Sequence, residues 1–161
     1  EKKLDALEGG GKVDRAFFEK AVEFLRTFAD ACHHGKEERL LFQHLVDALG
    51  FPRHAGPIAV MLADHEAGRG FVRGMAEALE GLGRDPAAGQ RLLENGRRYI
   101  QLLRSHIQRE NGVLFPMAEA RMAAEDQAHL TGAFERFEAA GTGAGVHERS
   151  LALLEALLAG A

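Results

Sequence analysis

The sequence lacks several features that membrane proteins, secreted proteins and nucleic-acid-binding proteins usually need. Among its 161 residues Cys32 is the only cysteine, so no disulfide can form within the chain. A reducing, cytoplasmic location is therefore the simplest expectation. No apolar run approaches the roughly 18–20 residues that span a bilayer, and we expect no membrane partner. The formal net charge of -4 gives no reason to expect a nucleic-acid partner, which usually requires a basic face.

Common enzyme motifs and strand patterns are also missing. The sequence contains no nucleophile motif, no phosphate-cradling loop and no zinc-protease signature. No segment alternates apolar and polar residues over the length of a strand. What is present is a globular composition, with 46% hydrophobic and 27% charged residues, in a chain long enough to bury a full core. We therefore expect one all-α domain over residues 1–161.

Glycine and proline divide the sequence into long helical segments. We predict helices over about 14–49, 57–81, 86–115 or 86–121, 124–139 and 146–158, with a glycine-rich connection at 141–145 between the last two. Long helices with short connections favour an antiparallel, up-and-down four-helix bundle, against which the last two helices pack as additions. Residues 1–8 have the pattern of the last two turns of the first bundle helix, and we expect that its earlier part is missing.

One pattern of polar residues occurs twice. His33 precedes Glu37 by four residues, His106 precedes Glu110 by four residues, and each pair is followed by an aliphatic pair and a phenylalanine. This spacing places the imidazole and the carboxylate on one face of a helix, one turn apart. A third histidine, His65, lies in the middle of the helix between the two pairs. Two such helices facing each other would direct imidazoles and carboxylates to a single point.

This combination of side chains predicts a metal site. Helical bundles build dinuclear iron or manganese sites from inward-facing carboxylates and histidines. Imidazole with carboxylate suits iron, zinc and manganese, and the lack of cysteine ligands argues against a closed structural zinc site. Carboxylates can bridge two metals, and the two glutamates of the repeat are placed symmetrically. The predicted ligands are His33, Glu37, His65, His106 and Glu110.

The repeat leaves one choice of ligands open. His34 and Glu38 form a second pair with the same spacing, about 100° around the helix, and are the alternative ligands. Alignment of the two Leu-Phe ends favours Glu37, which precedes its phenylalanine by the same number of residues as Glu110 does. In this register Glu38 lies beside the ligands or faces solvent.

Residues next to the predicted ligands have two possible roles each. Cys32 is either a thiolate ligand or a small buried hydrophobic residue, and turning it toward the metal would rotate His33 away. Asp64 and Glu66 flank His65 but point off its face, so we expect them at the surface or beside the ligands.

Three segments resemble the hemerythrin-like, or HHE cation-binding, family. They are His33-x-x-x-Glu37-Glu38, Asp64-His65-Glu66-x-x-Arg69 and His106-x-x-x-Glu110-Asn111-x-Val113-Leu114-Phe115-Pro116, in the order of the family's own segments. The resemblance covers nearly the whole chain. It implies a four-helix bundle that holds a non-haem di-iron centre, bridged by two carboxylates and an oxo or hydroxo group. Members of the family bind dioxygen, sense oxygen or iron, scavenge nitric oxide or peroxide, or deliver iron.

The sequence departs from the family pattern at two positions. The family's first histidine ligand would precede Glu1, and Arg69 stands where invertebrate oxygen carriers have a second histidine. We expect a di-iron protein that binds dioxygen or a related small ligand, such as another diatomic molecule or peroxide. The rival interpretations are a di-iron enzyme with ferroxidase, peroxide or nitric oxide chemistry, an iron-handling or iron-sensing protein, and a helical scaffold without metal.

Overall fold

The computed structural model describes residues 1–142 and 146–160. Within these residues every regular element is a helix. The six helices are α1 (Lys2–Glu8), α2 (15–47), α3 (Gly56–Gly81), α4 (88–119), α5 (124–142) and α6 (Val146–Ala159). The prediction of an all-α helical bundle is confirmed. Residues 143–145 of the glycine-rich connection lie outside the described residues. Within the described ranges, no helix is long and apolar enough to cross a membrane.

The ends of the helices follow local chemistry. Asp14 caps α2 as predicted, because its carboxylate accepts a hydrogen bond of 3.1 Å from the backbone N–H of Phe17. The prediction that α4 begins at Pro86 is wrong by two residues. The Asp85 carboxylate instead accepts a hydrogen bond of 2.8 Å from the Ala87 backbone N–H, which closes a turn before the helix begins at Ala88.

Two apolar clusters fill the bundle, and a polar layer separates them. One cluster includes Leu4, Phe18, Val72, Leu79 and Leu92. The other includes Phe42, Leu45, Ile58, Met61 and Leu114. Along each of α2, α3 and α4, the predicted ligands fall between residues of the first cluster and residues of the second. The histidines and glutamates therefore lie at mid-bundle, where the helices are held together on both sides by buried apolar side chains.

Two of the long helices contain wide turns at the polar layer. In α2 the backbone has π-helical geometry at Leu25–His34 and Glu37–Leu41, and in α4 it has this geometry at Glu110–Leu114. Helical periodicity in the sequence does not anticipate these turns. Such turns are uncommon in helices and are frequent at functional sites.

The C-terminal helices pack against α2. Lys36 Nζ lies 2.6 Å from Glu138 Oε1, which joins α2 to α5. Gly35 permits this close packing, since a Cβ atom at this position would lie 3.0 Å from Cζ of Phe137. The backbone of Gly35 stays helical, with φ of -59° and ψ of -41°, so the glycine serves a close approach of helices.

Candidate metal centre

Four side chains from three helices converge at the polar layer. Glu37 comes from α2, His65 from α3, and His106 and Glu110 from α4, and each offers one ligand atom within 4.8 Å of the others. His65 Nε2 lies 3.3 Å from Glu37 Oε2, and His106 Nε2 lies 3.0 Å from Glu110 Oε1. The four side chains are between 1% and 7% exposed. This is a buried group of two imidazoles and two carboxylates.

Most of the converging atoms have no hydrogen bond. Both carboxylate oxygens of Glu37, Nε2 of His65, Nε2 of His106 and Oε1 of Glu110 are buried without a hydrogen-bond partner in the described part of the chain. An unpaired buried polar atom costs roughly 1–3 kcal/mol, and more when it is charged. A cation placed among these side chains would give one atom of each of the four residues a partner. The donor set of nitrogen and carboxylate oxygen therefore fits a transition metal such as iron.

His34 joins this group from the side of α2. Its ring stacks on His65 with 3.9 Å between the centroids, and His34, His65 and His106 offer nitrogens within 4.8 Å of one another. Burial and the neighbouring His65 lower the pKa of His34 to about 4. The imidazole is therefore neutral near pH 7, which is the form that binds metals.

The structure does not bring His33 into either group. Its side chain is 45% exposed, and its Nε2 atom lies 3.8 Å from Glu37 Oε2. Of the five predicted ligands, four converge and His33 lies at the edge, while the alternative residue His34 is buried beside His65. The choice between the two histidines stays a prediction.

A carboxylate stands behind each buried imidazole. The paired atoms are His65 Nδ1 and Glu38 Oε1 at 2.7 Å, His106 Nδ1 and Asp64 Oδ2 at 3.3 Å, and His34 Nδ1 and Asp30 Oδ1 at 3.4 Å. When a carboxylate accepts the Nδ1 proton, it fixes the ring's orientation and leaves Nε2 free to bind a metal. Glu38 and Asp64 thus lie beside the ligands, which is one of the two positions, beside the ligands or at the surface, that the sequence left open for them. Asp30 was not anticipated, although its spacing of four residues from His34 is a usable signal.

Arg69 connects two of these carboxylates. Its guanidinium lies 2.7 Å from Glu38 Oε1 through Nη2 and 2.8 Å from Asp30 Oδ1 through Nε. Burial favours a raised pKa for Glu38, but the hydrogen bonds from Arg69 and His65 outweigh it and lower the pKa. Glu38 is therefore ionised and accepts from both neighbours. Arg69 therefore serves as a link between α2 and α3.

In α4, too, contacts with neighbouring side chains outweigh the effect of burial on the pKa values. Burial alone would lower the pKa of His106, but its contacts with Glu110 and Asp64 raise it. Burial alone would raise the pKa of Glu110, but the neighbouring His106 lowers it. Arg109 Nη2 also lies 2.5 Å from Asp64 Oδ2, so the guanidinium compensates the negative charge of the Asp64 carboxylate behind His106.

Cys32 lies outside the converging groups. Its side chain is 3% exposed, and burial raises the pKa of the thiol. Neither group of possible metal ligands in the described residues includes it. Cys32 is a protonated, buried thiol, which favours its interpretation as a small hydrophobic residue.

A comparison with protein families decides the family. The model of the hemerythrin HHE cation-binding domain matches residues 2–118. The chain belongs to the hemerythrin family. The part of the chain that matches includes all the candidate ligands and the carboxylates behind them, whereas α5 and α6 of this hemerythrin-family chain lie beyond it. No curated protein and no solved structure matched the chain.

Proposed function

We propose that this hemerythrin-family protein holds a non-haem di-iron centre and binds dioxygen or a related small ligand there, without turnover. The observation that carries the proposal is the buried set of unpartnered oxygen and nitrogen atoms on Glu37, His65, His106 and Glu110. In the proposal Glu37 and Glu110 would hold the metals through their carboxylate oxygens, and His65, His106 and either His33 or His34 would supply nitrogen ligands. Iron supplies the redox chemistry that dioxygen binding requires.

The chain's own residues supply orientation and a dry environment. Glu38 and Asp64 accept the Nδ1 protons of His65 and His106, so that both rings keep Nε2 toward the centre of the site. Phe42, which is fully buried, lies with its ring 5.9 Å from the ring of His65. An apolar surrounding of this kind limits the access of water and protons to a bound ligand.

The proposal extends to organisation and location. We treat residues 1–161 as one hemerythrin-like domain, because α5 and α6 pack on α2 through contacts such as that of Lys36 with Glu138. A cytoplasmic location is part of the proposal and is supported by the single, buried cysteine.

The test is the metal content of the purified protein, together with absorption spectra recorded in air and after anaerobic reduction. We expect about two iron atoms per chain and absorption bands that bleach on reduction and return with oxygen. His65→Ala with His106→Ala should abolish metal binding. The matched control is His54→Ala with His129→Ala, which removes two exposed imidazoles outside the site and should leave the metal content unchanged.

Other outcomes would contradict the proposal in distinguishable ways. Two irons that consume peroxide or nitric oxide with turnover would indicate an enzyme. Metal content equal in the site variant and in the control variant would indicate a helical scaffold whose histidines bind no metal.

The number of donors favours a second candidate, an iron-handling or iron-sensing protein. The described residues bring together three imidazoles and two carboxylates, and Arg69 occupies a position where another nitrogen ligand would lie. A smaller donor set holds its second metal less tightly. Iron that exchanges rapidly with a chelator, without any spectral response to oxygen, would support this candidate.

A further inference from the structure

A cavity lies beside the candidate metal centre, between α2, α3 and α4. Its volume is about 260 Å³, and three arginines, Arg26, Arg69 and Arg73, contribute to its lining. Asp30 is the acidic residue in this lining. The cavity is smaller than the roughly 300–1,000 Å³ of sites for drug-sized ligands, so its occupant has to be small.

The charges that line the cavity do not cancel. Asp30 is already paired, since Arg69 Nε lies 2.8 Å from its Oδ1 atom. Arg26 and Arg73 are exposed and have no ion pair among residues 1–142 and 146–160. Two guanidinium groups therefore remain uncompensated at one cavity, which attracts an anion.

Apart from the charged residues and His34, the wall is mostly apolar. Leu25 and Val72 line the cavity from α2 and α3, and Gly68 removes a side chain where α3 approaches Tyr99. An inorganic anion would use only the arginines and leave this apolar surface against water. An anion with a short hydrocarbon part would bury it, at a gain of roughly 0.8 kcal/mol per CH₂ group.

The cavity adjoins the metal centre. Three of its lining residues, His34, Gly68 and Tyr99, also line a small space of about 10 Å³ whose other walls include His65 and His106. A molecule in the larger cavity would therefore lie against the imidazole of His34.

We propose that this cavity binds a small aliphatic monocarboxylate. The carboxylate pairs with Arg26 and Arg73, and the hydrocarbon part lies against Leu25 and Val72. This is a binding function beside the metal centre and separate from it. Planar, bidentate recognition of carboxylate is the interaction to which guanidinium groups are best suited.

The experiment is isothermal titration of the purified protein with sodium butyrate, compared with butyramide and with sodium nitrate. Butyramide has the same hydrocarbon part without the negative charge, and nitrate has the negative charge without a hydrocarbon part. We expect butyrate to bind with one molecule per chain and both analogues to bind about tenfold or more weakly. Butyrate should also change the fluorescence of Tyr99, which is the only tyrosine in a chain without tryptophan.

Variants locate the binding and separate it from general charge effects. Arg26→Gln with Arg73→Gln should lower the affinity for butyrate about tenfold or more. Arg53→Gln with Arg98→Gln removes two exposed arginines that do not line the cavity and should leave the affinity unchanged. Because all four side chains are exposed, circular dichroism should report an unchanged fold for both pairs.

Several results would overturn the proposal. Equal affinities for butyrate and nitrate would mean that the apolar wall contributes nothing, and equal affinities for butyrate and butyramide would remove the role of the arginines. Equal losses in the two variant pairs would indicate attraction to the overall charge. A failure of iron binding leaves these measurements intact, so the two proposals fail separately.

Discussion

At the scale of single residues, Glu38 links a buried imidazole of the candidate centre to a neighbouring arginine. One of its carboxylate oxygens, Oε1, lies 2.7 Å from Nδ1 of His65 and 2.7 Å from Nη2 of Arg69. Arg69 in turn contacts Asp30, which stands behind His34. One chain of polar contacts thus fixes imidazoles on both α2 and α3, and it does so without offering a further ligand to the centre.

We predict that Glu38→Ala lowers metal affinity about 10–100-fold, because His65 loses the acceptor that fixes its orientation. Competition with a chromophoric chelator would measure the change. The control is Glu66→Ala, since Glu66 is 72% exposed and lies 3.7 Å from Arg69 Nη1. If both variants retained the affinity of the unaltered protein, the carboxylate behind His65 would have no orienting role.

Tyr99 provides a test of the environment next to the centre. Burial and then the charge of Asp30 raise the pKa of Tyr99 to about 12. Because this is the only tyrosine, the absorption of phenolate near 295 nm reports its ionisation alone. We predict a midpoint near pH 12 in the folded protein and near the ordinary value of about 10 in denaturant.

The same pKa shift gives a direction for stability. The raised pKa of Tyr99 means that the fold favours the neutral phenol. Its contribution to stability is complete below about pH 10 and is lost as the pH rises through about 12. Tyr99→Phe should remove this part of the alkaline loss of stability. A midpoint near pH 10 in the folded protein would show that the ring is solvated.

Sequence reasoning reached most, but not all, of the residues in the site. The repeated spacing of histidine and glutamate identified Glu37, His65, His106 and Glu110, which the structure brings together. The alignment of the two Leu-Phe ends favoured His33 over His34. An alignment carries no information on the angle around a helix whose turns vary in width, so it cannot decide between the two histidines. The carboxylates behind the imidazoles come from other helices, so spacing within one helix cannot reveal most of them.

At the scale of helices, glycine sets the contact between α1 and α4. A Cβ atom at Gly96 would lie 2.9 Å from both methyl carbons of Leu4, which is buried in the core. We predict that Gly96→Ala destabilises the fold by roughly 1–3 kcal/mol through overpacking and speeds hydrogen exchange in residues 2–8. Urea unfolding and exchange mass spectrometry measure the two effects.

The matched control for this substitution is Gly70→Ala in α3. At Gly70 an added Cβ atom would have no neighbour within 4 Å in the described structure. Alanine inside a helix is favoured over glycine by about 1 kcal/mol, so this variant should be more stable than the unaltered protein. Stabilisation by both substitutions would mean that α1 gives way to the new methyl group without cost.

The order and approximate extent of the helices were predictable from their breakers and apolar spacing. The π-helical turns were not, since Leu25–His34 contains no glycine or proline and the one glycine of Glu110–Leu114, Gly112, does not by itself mark a wide turn. Tertiary packing and the burial of polar side chains at mid-bundle select that geometry. Local propensity alone would predict uninterrupted α-helix in both segments.

At the scale of the whole molecule, the centre connects three helices between two apolar clusters. Without a cation, the described site holds two buried carboxylates without hydrogen-bond partners for three of their oxygens. A metal that binds only the folded state stabilises it by about 2.7 kcal/mol when its free concentration is a hundred times Kd. The fold and the centre should therefore be thermodynamically linked.

We predict that removal of metal with a chelator lowers the Tm by roughly 5–10 °C, and that iron restores it. Differential scanning calorimetry would measure the shift. In His65→Ala with His106→Ala, iron should no longer change the Tm. An identical Tm with and without metal in the unaltered protein would contradict the linkage.

The wide turn at Glu110–Leu114 also constrains the gene. A helix accommodates one additional residue as a wide turn, without changing the direction of the residues on either side. Loss of the codon for Asn111 or Gly112 within this turn would therefore let the helix close as regular α-helix, with the residues on either side still facing the same way. Leu114 and Ala118, which are buried, would stay in the core, and His106 would stay in place. Loss of one codon in the regular helix between His106 and the turn would instead rotate everything beyond it by about 100°. The position of a deletion in this part of the coding sequence therefore matters as much as its size.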